Sequence, residues 1–144
     1  MRFVFGVDKI GQDVIIDDSV NNVLITGKRE NRNEFYAWLV NNAIISDEVD
    51  YVLVSKNEDL LKNAEPYKTY NKNYVVAFEQ LFNEMERRYE LFAHTGVRDI
   101  SRFNSKAKEA GQHADQLPYI IVVIDELADL MMMSPAEVEE SICR

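Results

Sequence analysis

The chain has 144 residues, of which 47% are hydrophobic and 28% are charged, and its formal net charge is −9. This composition is typical of one soluble globular domain and leaves little room for disordered linkers. The surplus of acids argues against a protein that coats nucleic acid, because phosphate contacts need Lys and Arg. The longest apolar runs are far shorter than the roughly 20 residues of a membrane span. The single cysteine, Cys143, can form no internal disulfide, so we expect a cytoplasmic protein without a membrane segment.

The first third of the chain predicts a β-hairpin, a buried strand, a helix and a second buried strand. Two β-rich runs, Phe3–Val7 and Val14–Ile16, flank a polar turn, which is a hairpin signal. The short apolar run Val23–Thr26 ends at a glycine and is typical of a buried strand. Apolar residues then have helical spacing over about Asn33–Ile45, and Asp50–Ser55 is again an apolar run.

The middle of the chain predicts a short strand and two helices. Tyr67–Tyr70 is the candidate strand, and the apolar residues of Phe78–Phe92 recur with the 3.6-residue period of a helix. Gly96 ends that helix, and Asp99 is suited to cap a shorter one that runs to about Ala110. The charged residues off the apolar stripe of the longer helix are expected to face solvent: Glu84, Glu86, Arg87 and Arg88.

The last part of the chain predicts a buried strand and a helix. Pro118 leads into the apolar run Tyr119–Ile124, and Ser134 followed by Pro135 is a helix-start signal. The predicted strands are continuous apolar runs that alternate with helices. This arrangement predicts an α/β fold with a mostly parallel sheet sandwiched by helices.

Two carboxylates, Asp125 and Glu126, directly follow the last predicted strand. Open parallel sheets bind ligands at the carboxyl ends of their strands. In nucleoside triphosphatases an aspartate there helps to hold Mg²⁺, and a neighbouring glutamate can accept a proton from the attacking water. The alternative is a solvated strand end before a helix, where the helix dipole favours acids. A phosphate-binding loop upstream would decide between the two.

The turn after the first buried strand has the position of a phosphate loop but lacks its chemistry. The pattern G-x-x-x-x-G-K-[ST] started at Gly27 places Arg32 at the second glycine, Asn33 at the lysine and Glu34 at the hydroxyl position. A carboxylate at the hydroxyl position repels phosphate, and no lysine offsets it. The register in which Gly27 and Lys28 fill the G-K of the pattern fails as well, because the first glycine and the hydroxyl are then missing.

Three basic residues of this turn, Lys28, Arg29 and Arg32, remain candidates for contact with an anion. The alternative is that they are exposed and solvated, as flexible basic residues in turns usually are.

Two long motifs, "EMERRYELFAHTGVRDISRFN" and "YIIVVIDELADLMM", resemble the motor domain of the FtsK/SpoIIIE DNA translocases in order and separation. The N-terminal "FGVDKIGQDVIIDD" is similar to the hairpin that precedes the phosphate loop of that family. The resemblance implies a RecA-like P-loop ATPase that uses ATP and Mg²⁺, forms a hexameric ring around double-stranded DNA and pumps it, for instance in chromosome partition. Asp125 and Glu126 match the catalytic Walker B pair, in which Asp125 would hold Mg²⁺ if nucleotide binds.

The sequence departs from the family in two places. The glycine-rich "GTTGSGKS" is here "GKRENRNE", a degenerate Walker A that shares only Gly27. The chain also stops after Walker B, where the family continues with a strand that lies between the Walker A and Walker B strands. Without that strand the sheet would have a gap with unpaired backbone groups. Either the two strands close up, or another chain fills the gap, or the protein is longer than this chain.

These observations predict one partial motor domain over residues 1–144, with a hairpin over 1–20 and a RecA-like core over 21–144 that lacks its C-terminal half. We expect no or weak nucleotide binding and no ATP hydrolysis. One alternative is an active ATP-dependent DNA-translocating fragment of a longer protein. The other is a non-catalytic module descended from the family, which contacts a protein partner.

Overall fold

The computed structural model describes residues 2–17, 22–43, 49–55, 57, 68–70, 74–112 and 115–143. In chain order the elements are β1 Arg2–Val7, β2 Asp13–Asp17, α1 Arg29–Ala43, β3 Val49–Val54, β4 Lys68–Tyr70, α2 Tyr74–Thr95, α3 Ile100–Glu109, β5 Tyr119–Ile124, α4 Leu127–Met133 and α5 Pro135–Cys143. The fold is α/β, as the sequence predicts. Within the described ranges, no helix has the length and apolar character needed to cross a membrane.

β3 is the centre of a three-stranded sheet in the order β4–β3–β5. Both of its neighbours run parallel to it, and Val54 lies opposite Tyr70 on one side and Ile124 on the other. The predicted parallel sheet is therefore confirmed, and β5 covers the predicted strand in full. Because β3 and β5 run in the same direction, the residues that follow them, Ser55 and Asp125, lie at the same edge of the sheet.

The side chains of β3 enter two hydrophobic clusters on opposite faces of the sheet. Leu53 is 2% exposed and belongs to a cluster on the α1 face with Tyr36, Leu39 and Val123. The two residues beside it, Val52 and Val54, belong to the cluster on the α2 face, which also contains Ala77, Phe78, Leu130 and Val138. This alternation is the period of a strand that is buried on both sides. Helices therefore cover both faces of the sheet, as predicted.

β1 and β2 form the predicted hairpin as a separate two-stranded antiparallel sheet. One carboxylate oxygen of Asp8 accepts the backbone N–H groups of Ile10 and Gln12, both at 2.9 Å. Gly11 has a φ of +80°, in the left-handed region that favours glycine. The turn is thus closed by an aspartate and a glycine, the residue types expected there.

The predicted strand Val23–Thr26 is wrong. Residues 22–26 belong to neither sheet, and Leu24 is 76% exposed. Only Ile25 packs against the cluster on the α1 face. An apolar run becomes a strand when a neighbouring strand accepts its backbone hydrogen bonds, and none of the described strands pairs with this segment. The segment has therefore not closed up against β5.

α1 begins at Arg29, four residues earlier than predicted. The segment contains no glycine or proline after Gly27, and its lysine, arginines and glutamates are good helix formers. Glu30 lies in the first turn, where the helix dipole favours an acid. The backbone N–H of Arg32 already donates to the carbonyl of Lys28 at 3.1 Å. Only Gly27 and Lys28 therefore separate the segment 22–26 from the helix.

α2 carries the predicted apolar stripe, but two of its side chains depart from the expectation. Phe78 is buried, whereas Tyr89 of the same stripe is exposed. Arg88 was expected to face solvent, and it is only 13% exposed. Its guanidinium donates to the carboxylate of Glu84 at 2.7 Å and to the carbonyl of Pro118 at 2.6 Å. The prediction for Arg88 is wrong because its long stem reaches across to the chain that enters β5.

α3 is capped as predicted, since the Asp99 carboxylate accepts the backbone N–H of Arg102 at 2.8 Å. Its Asn104 side chain donates to the carbonyl of Leu117 and accepts the backbone N–H of the same residue, both at 2.8 Å. Together with Arg88, this amide holds the chain just before β5. The two helices thus set the start of the strand whose far end carries the candidate site.

Candidate functional site

Asp125 ends β5 inside the protein rather than in solvent. Its backbone N–H donates to the carbonyl of Val54 at 2.9 Å and extends the ladder between β5 and β3. Its carboxylate accepts a hydrogen bond of 2.9 Å from the hydroxyl of Ser55, and the two residues are only 7% and 4% exposed. Ser55 in turn accepts the backbone N–H of Asn57 at 2.9 Å. The carboxylate therefore has a fixed donor from the neighbouring strand.

Glu126 forms the sharp turn between β5 and α4. Its φ of 54° and ψ of 48° place it in the left-handed region, the one residue other than glycine with a positive φ among those described. Such a conformation is uncommon for a residue with a Cβ and persists where the surroundings hold it. The backbone N–H of Asp129 donates to the Glu126 carbonyl at 2.9 Å. The turn directs the Glu126 side chain back toward α1.

The first turn of α1 supplies two arginines to Glu126. Arg29 donates to Oε1 of Glu126 from Nε at 3.2 Å and from Nη2 at 3.0 Å. Arg32 donates to the same oxygen from Nη2 at 3.0 Å, and its Nη1 donates to the carbonyl of Gly27 at 2.7 Å. Arg32 therefore ties the helix start both to Gly27 before it and to the turn after β5.

Two arginines offset part of the negative charge of this site. The hydrogen bond from Arg29 to Glu126 raises the pKa of Arg29, and the negative charges of Glu126, Asp125 and Asp129 add to that effect. Below the site, burial raises the pKa of Tyr36, and the charge of Asp125 raises it further. Within the described residues, no group of three or more His, Cys, Asp or Glu side chains is arranged to hold a metal ion.

The structure brings some of the sequence-predicted residues together and separates others. Asp125 and Glu126 lie at the predicted sheet edge, and Arg29 and Arg32 meet Glu126 there. Both arginines thus pair with an acid, although Arg29 is still 71% exposed whereas Arg32 is 21% exposed. The other positions assigned to the phosphate loop do not contribute a loop: Gly27 and Lys28 precede α1, whereas Asn33 and Glu34 lie within it.

Sequence reasoning missed the role of Ser55. The residue directly follows the last apolar residue of β3, just as Asp125 follows the last apolar residue of β5. Because the ends of adjacent parallel strands meet at one edge, the equivalent positions of Ser55 and Asp125 were a usable signal. The pairing of Arg32 with Glu126, 94 residues apart, left no such signal in the sequence.

A parallel sheet with an Asp–Glu pair at the carboxyl end of a buried strand is typical of P-loop nucleoside triphosphatases. The model of the FtsK/SpoIIIE family matches residues 55–144. The chain belongs to the FtsK/SpoIIIE family, a family of P-loop nucleoside triphosphatases, and the resemblance seen in the sequence is confirmed.

Several DNA translocases are similar to this chain. It is 57% identical over 79 residues to the DNA translocase SftA of Bacillus subtilis. That alignment covers 55% of this chain and 8% of the relative. It is 49% identical over 83 residues to the DNA translocase SpoIIIE of the same organism, and 45% identical over 83 residues to the DNA translocase FtsK of Streptococcus pneumoniae. Those alignments cover 55% of this chain and 10% and 11% of the relatives.

The chain spans about a tenth of the length of the curated relatives it matches. Residues 1–54, which include the segment 22–26 and α1, lie outside the range that the family model matches. No solved structure matches the chain. The acids of the candidate site lie in the matched range, and its arginines lie outside it.

Proposed function

We propose that this chain is an FtsK/SpoIIIE-type DNA translocase domain that does not hydrolyse ATP. The observation that carries the proposal is the start of α1 at Arg29. A phosphate loop needs several consecutive backbone N–H groups that are free to face the phosphates, in conformations that glycine allows. In this chain Arg29–Glu34 are helical, and from Arg32 onward the helix uses their N–H groups itself.

The state of the two acids supports the same proposal. A glutamate acts as a general base when its carboxylate can reach a water, and Glu126 is paired with two guanidinium groups. Asp125 is buried and takes the Ser55 hydroxyl. The family implies ATP and Mg²⁺, but these residues do not fit the bound group. We therefore expect weak or no nucleotide binding by this chain.

The proposed partners follow from the family and from the names of the relatives, which are DNA translocases. Double-stranded DNA, a hexameric ring of copies and a cytoplasmic location belong to this proposal, as does the description of residues 1–144 as a partial motor domain. With a net charge of −9, the isolated chain should bind DNA weakly. Tight, salt-sensitive binding in a gel-shift assay would contradict that expectation.

A second candidate is a non-catalytic module that binds a protein partner. Met132 is 85% exposed, and Met133 beside it is also exposed, on the helix that follows the two acids. Exposed methionines are common at adaptable binding surfaces because the side chain is flexible and polarizable. This candidate shares the absence of hydrolysis with the first and differs from it in the partner.

The test is calorimetry of Mg·ATP with the 144-residue chain, together with an assay of phosphate release. A variant with Asn33→Lys and Glu34→Ser, which restores two side chains of the motif, is measured beside it. We expect no heat at millimolar nucleotide and no turnover from either protein, because side chains alone do not rebuild a loop from a helix. Micromolar binding by the native chain, or turnover, would support the alternative of an active fragment of a longer protein.

A further inference from the structure

We infer that Arg29 and Arg32 are built-in counter-cations of Glu126, which keep divalent cations away from its carboxylate. The contacts of the two arginines with Glu126 do not depend on the proposed function. The two arginines neutralise Glu126 whether or not the chain has a phosphate loop.

One oxygen of Glu126 receives several donors. Three N–H groups, two from Arg29 and one from Arg32, point at Oε1 of Glu126 at 3.0 to 3.2 Å. These donors take up the lone pairs of Oε1, and two positive guanidinium groups lie beside the rest of the carboxylate. The guanidinium group stays charged throughout the range in which proteins are folded. The two guanidinium groups therefore keep their positive charge at every pH at which the chain is folded.

Both arginines are held by the first turn of α1. Arg29 and Arg32 are three residues apart on α1, so the helix places both on one side. The Arg32 side chain is 21% exposed and is anchored a second time on the carbonyl of Gly27. Arg29 is 71% exposed and covers Glu126 from the solvent side. A helix that begins at Arg29 thus brings both side chains to Glu126.

A divalent cation at Glu126 would have to lose water and approach two positive groups. Mg²⁺ demands nearly octahedral oxygen ligands and gives up its waters reluctantly. Binding to Glu126 would place it beside two guanidinium groups, and like charges at that separation repel. Asp125 beside it is only 7% exposed, and its Oδ2 already accepts the Ser55 hydroxyl. Removal of the arginines would instead leave the charges of Asp125, Glu126 and Asp129 uncompensated.

The experiment is a titration of Mn²⁺ into the ¹⁵N-labelled chain, with the broadening of backbone amide signals at residues 125–130 as the readout. The native chain is compared with Arg29→Gln/Arg32→Gln and with the same variant carrying Glu126→Gln. The matched control is Arg87→Gln/Arg102→Gln, which removes two positive charges that pair with Glu84 and Asp99 elsewhere. Nucleotide is absent from all samples, so the outcome is independent of whether the chain binds or hydrolyses ATP.

We expect the double variant at Arg29 and Arg32 to broaden at Mn²⁺ on the order of 1 mM, the range of weak carboxylate sites. The native chain and the control should need at least about tenfold more Mn²⁺, and Glu126→Gln should abolish the gain. Equal broadening of the native chain and the double variant would overturn the inference, and so would a double variant that behaves as the control does. If the double variant loses its dispersed spectrum, Arg29→Gln alone carries the test. That exposed substitution should still lower the Mn²⁺ requirement, and no change would overturn the inference.

Discussion

The two sides of the candidate site differ in how they respond to sequence change. On the acid side, Ser55, Asp125 and Glu126 come from the range matched by the family, and a hydrogen-bonded parallel sheet positions them. On the opposite side, Gly27 and the first turn of α1, with Arg29 and Arg32, come from outside that range. A strand end is held by its neighbours, whereas a phosphate loop depends on the conformations that its own glycines allow. Substitution by helix formers therefore leaves the first in place and turns the second into a helix.

The largest effect should come from the core under the acid side. Phe78→Ala removes a buried ring from the cluster on the α2 face and should cost about 3–5 kcal/mol of unfolding free energy. The control is Ile25→Ala in the segment 22–26. It should lower the free energy of unfolding by about 1 kcal/mol, because that side chain is only half-buried. Urea unfolding followed by circular dichroism measures both. Similar losses for the two variants would mean that both sides of the site are packed equally firmly, which would break the comparison.

Next in size is the removal of the hydroxyl that meets Asp125. Ser55→Ala leaves a buried carboxylate without its donor, so we expect a loss of about 1–3 kcal/mol in the free energy of unfolding. Ser105→Ala on the exposed side of α3 is the matched control and should change stability by less than about 0.5 kcal/mol. A neutral Ser55→Ala would show that Asp125 is satisfied without the neighbouring strand.

A smaller effect is expected at the contact between α2 and β5. Hydrogen bonds from Arg87 and Arg88 hold the pKa of Glu84 at about 2, below its ordinary value of 4.5. A lowered pKa stabilises the folded chain above the unfolded value, and this contribution disappears as the pH falls from about 5 toward 2. Because solvent screens part of it, Glu84→Gln should cost about 1 kcal/mol at neutral pH.

The pH dependence sharpens that prediction. The difference in unfolding free energy between the native chain and Glu84→Gln should shrink as the pH is lowered from 5 to 2, as measured by urea titrations at several pH values. Glu86→Gln, an exposed neighbour on the same helix, is the control and should show no comparable change. A difference that stays constant over this range would contradict the lowered pKa.

The smallest effect is expected at Arg29. Its side chain is 71% exposed, so solvent and salt screen its pairing with Glu126. Arg29→Gln should leave the urea midpoint unchanged within error, whereas Arg32→Gln, which also loses its contact with Gly27, should lower it measurably. A larger loss from Arg29→Gln than from Arg32→Gln would reverse the order in which the two arginines hold the helix start.

Local signals predicted much of the fold, and partners distant in sequence account for the rest. β5 and the Asp99 cap were predicted because an apolar run after a proline and an aspartate before a helix carry their structure locally. Val23–Thr26 has the composition of a strand, but strand formation also needs a neighbour, and composition contains no information on that. The early start of α1 was within reach of helix propensity, because no breaker follows Gly27.

The candidate site shows the same division. The sheet edge and its two acids were predictable, since the strand that carries them is a long apolar run that ends in Asp125 and Glu126. The pairing of Arg29 and Arg32 with Glu126 was not predictable, because it depends on α1 beginning early and on contacts across more than 90 residues. Electrostatic partners of this kind follow from the tertiary structure.

The position of β3 has a consequence for how this family can be divided into parts. The family match begins at residue 55, one residue after the central strand Val49–Val54 ends. A fragment cut at the boundary of the match would lose the only described strand that joins β4 to β5, together with the side chains that fill both clusters. The matched range alone thus lacks the central strand of the described three-stranded sheet. Any boundary for expression or for domain exchange should be placed before Val49.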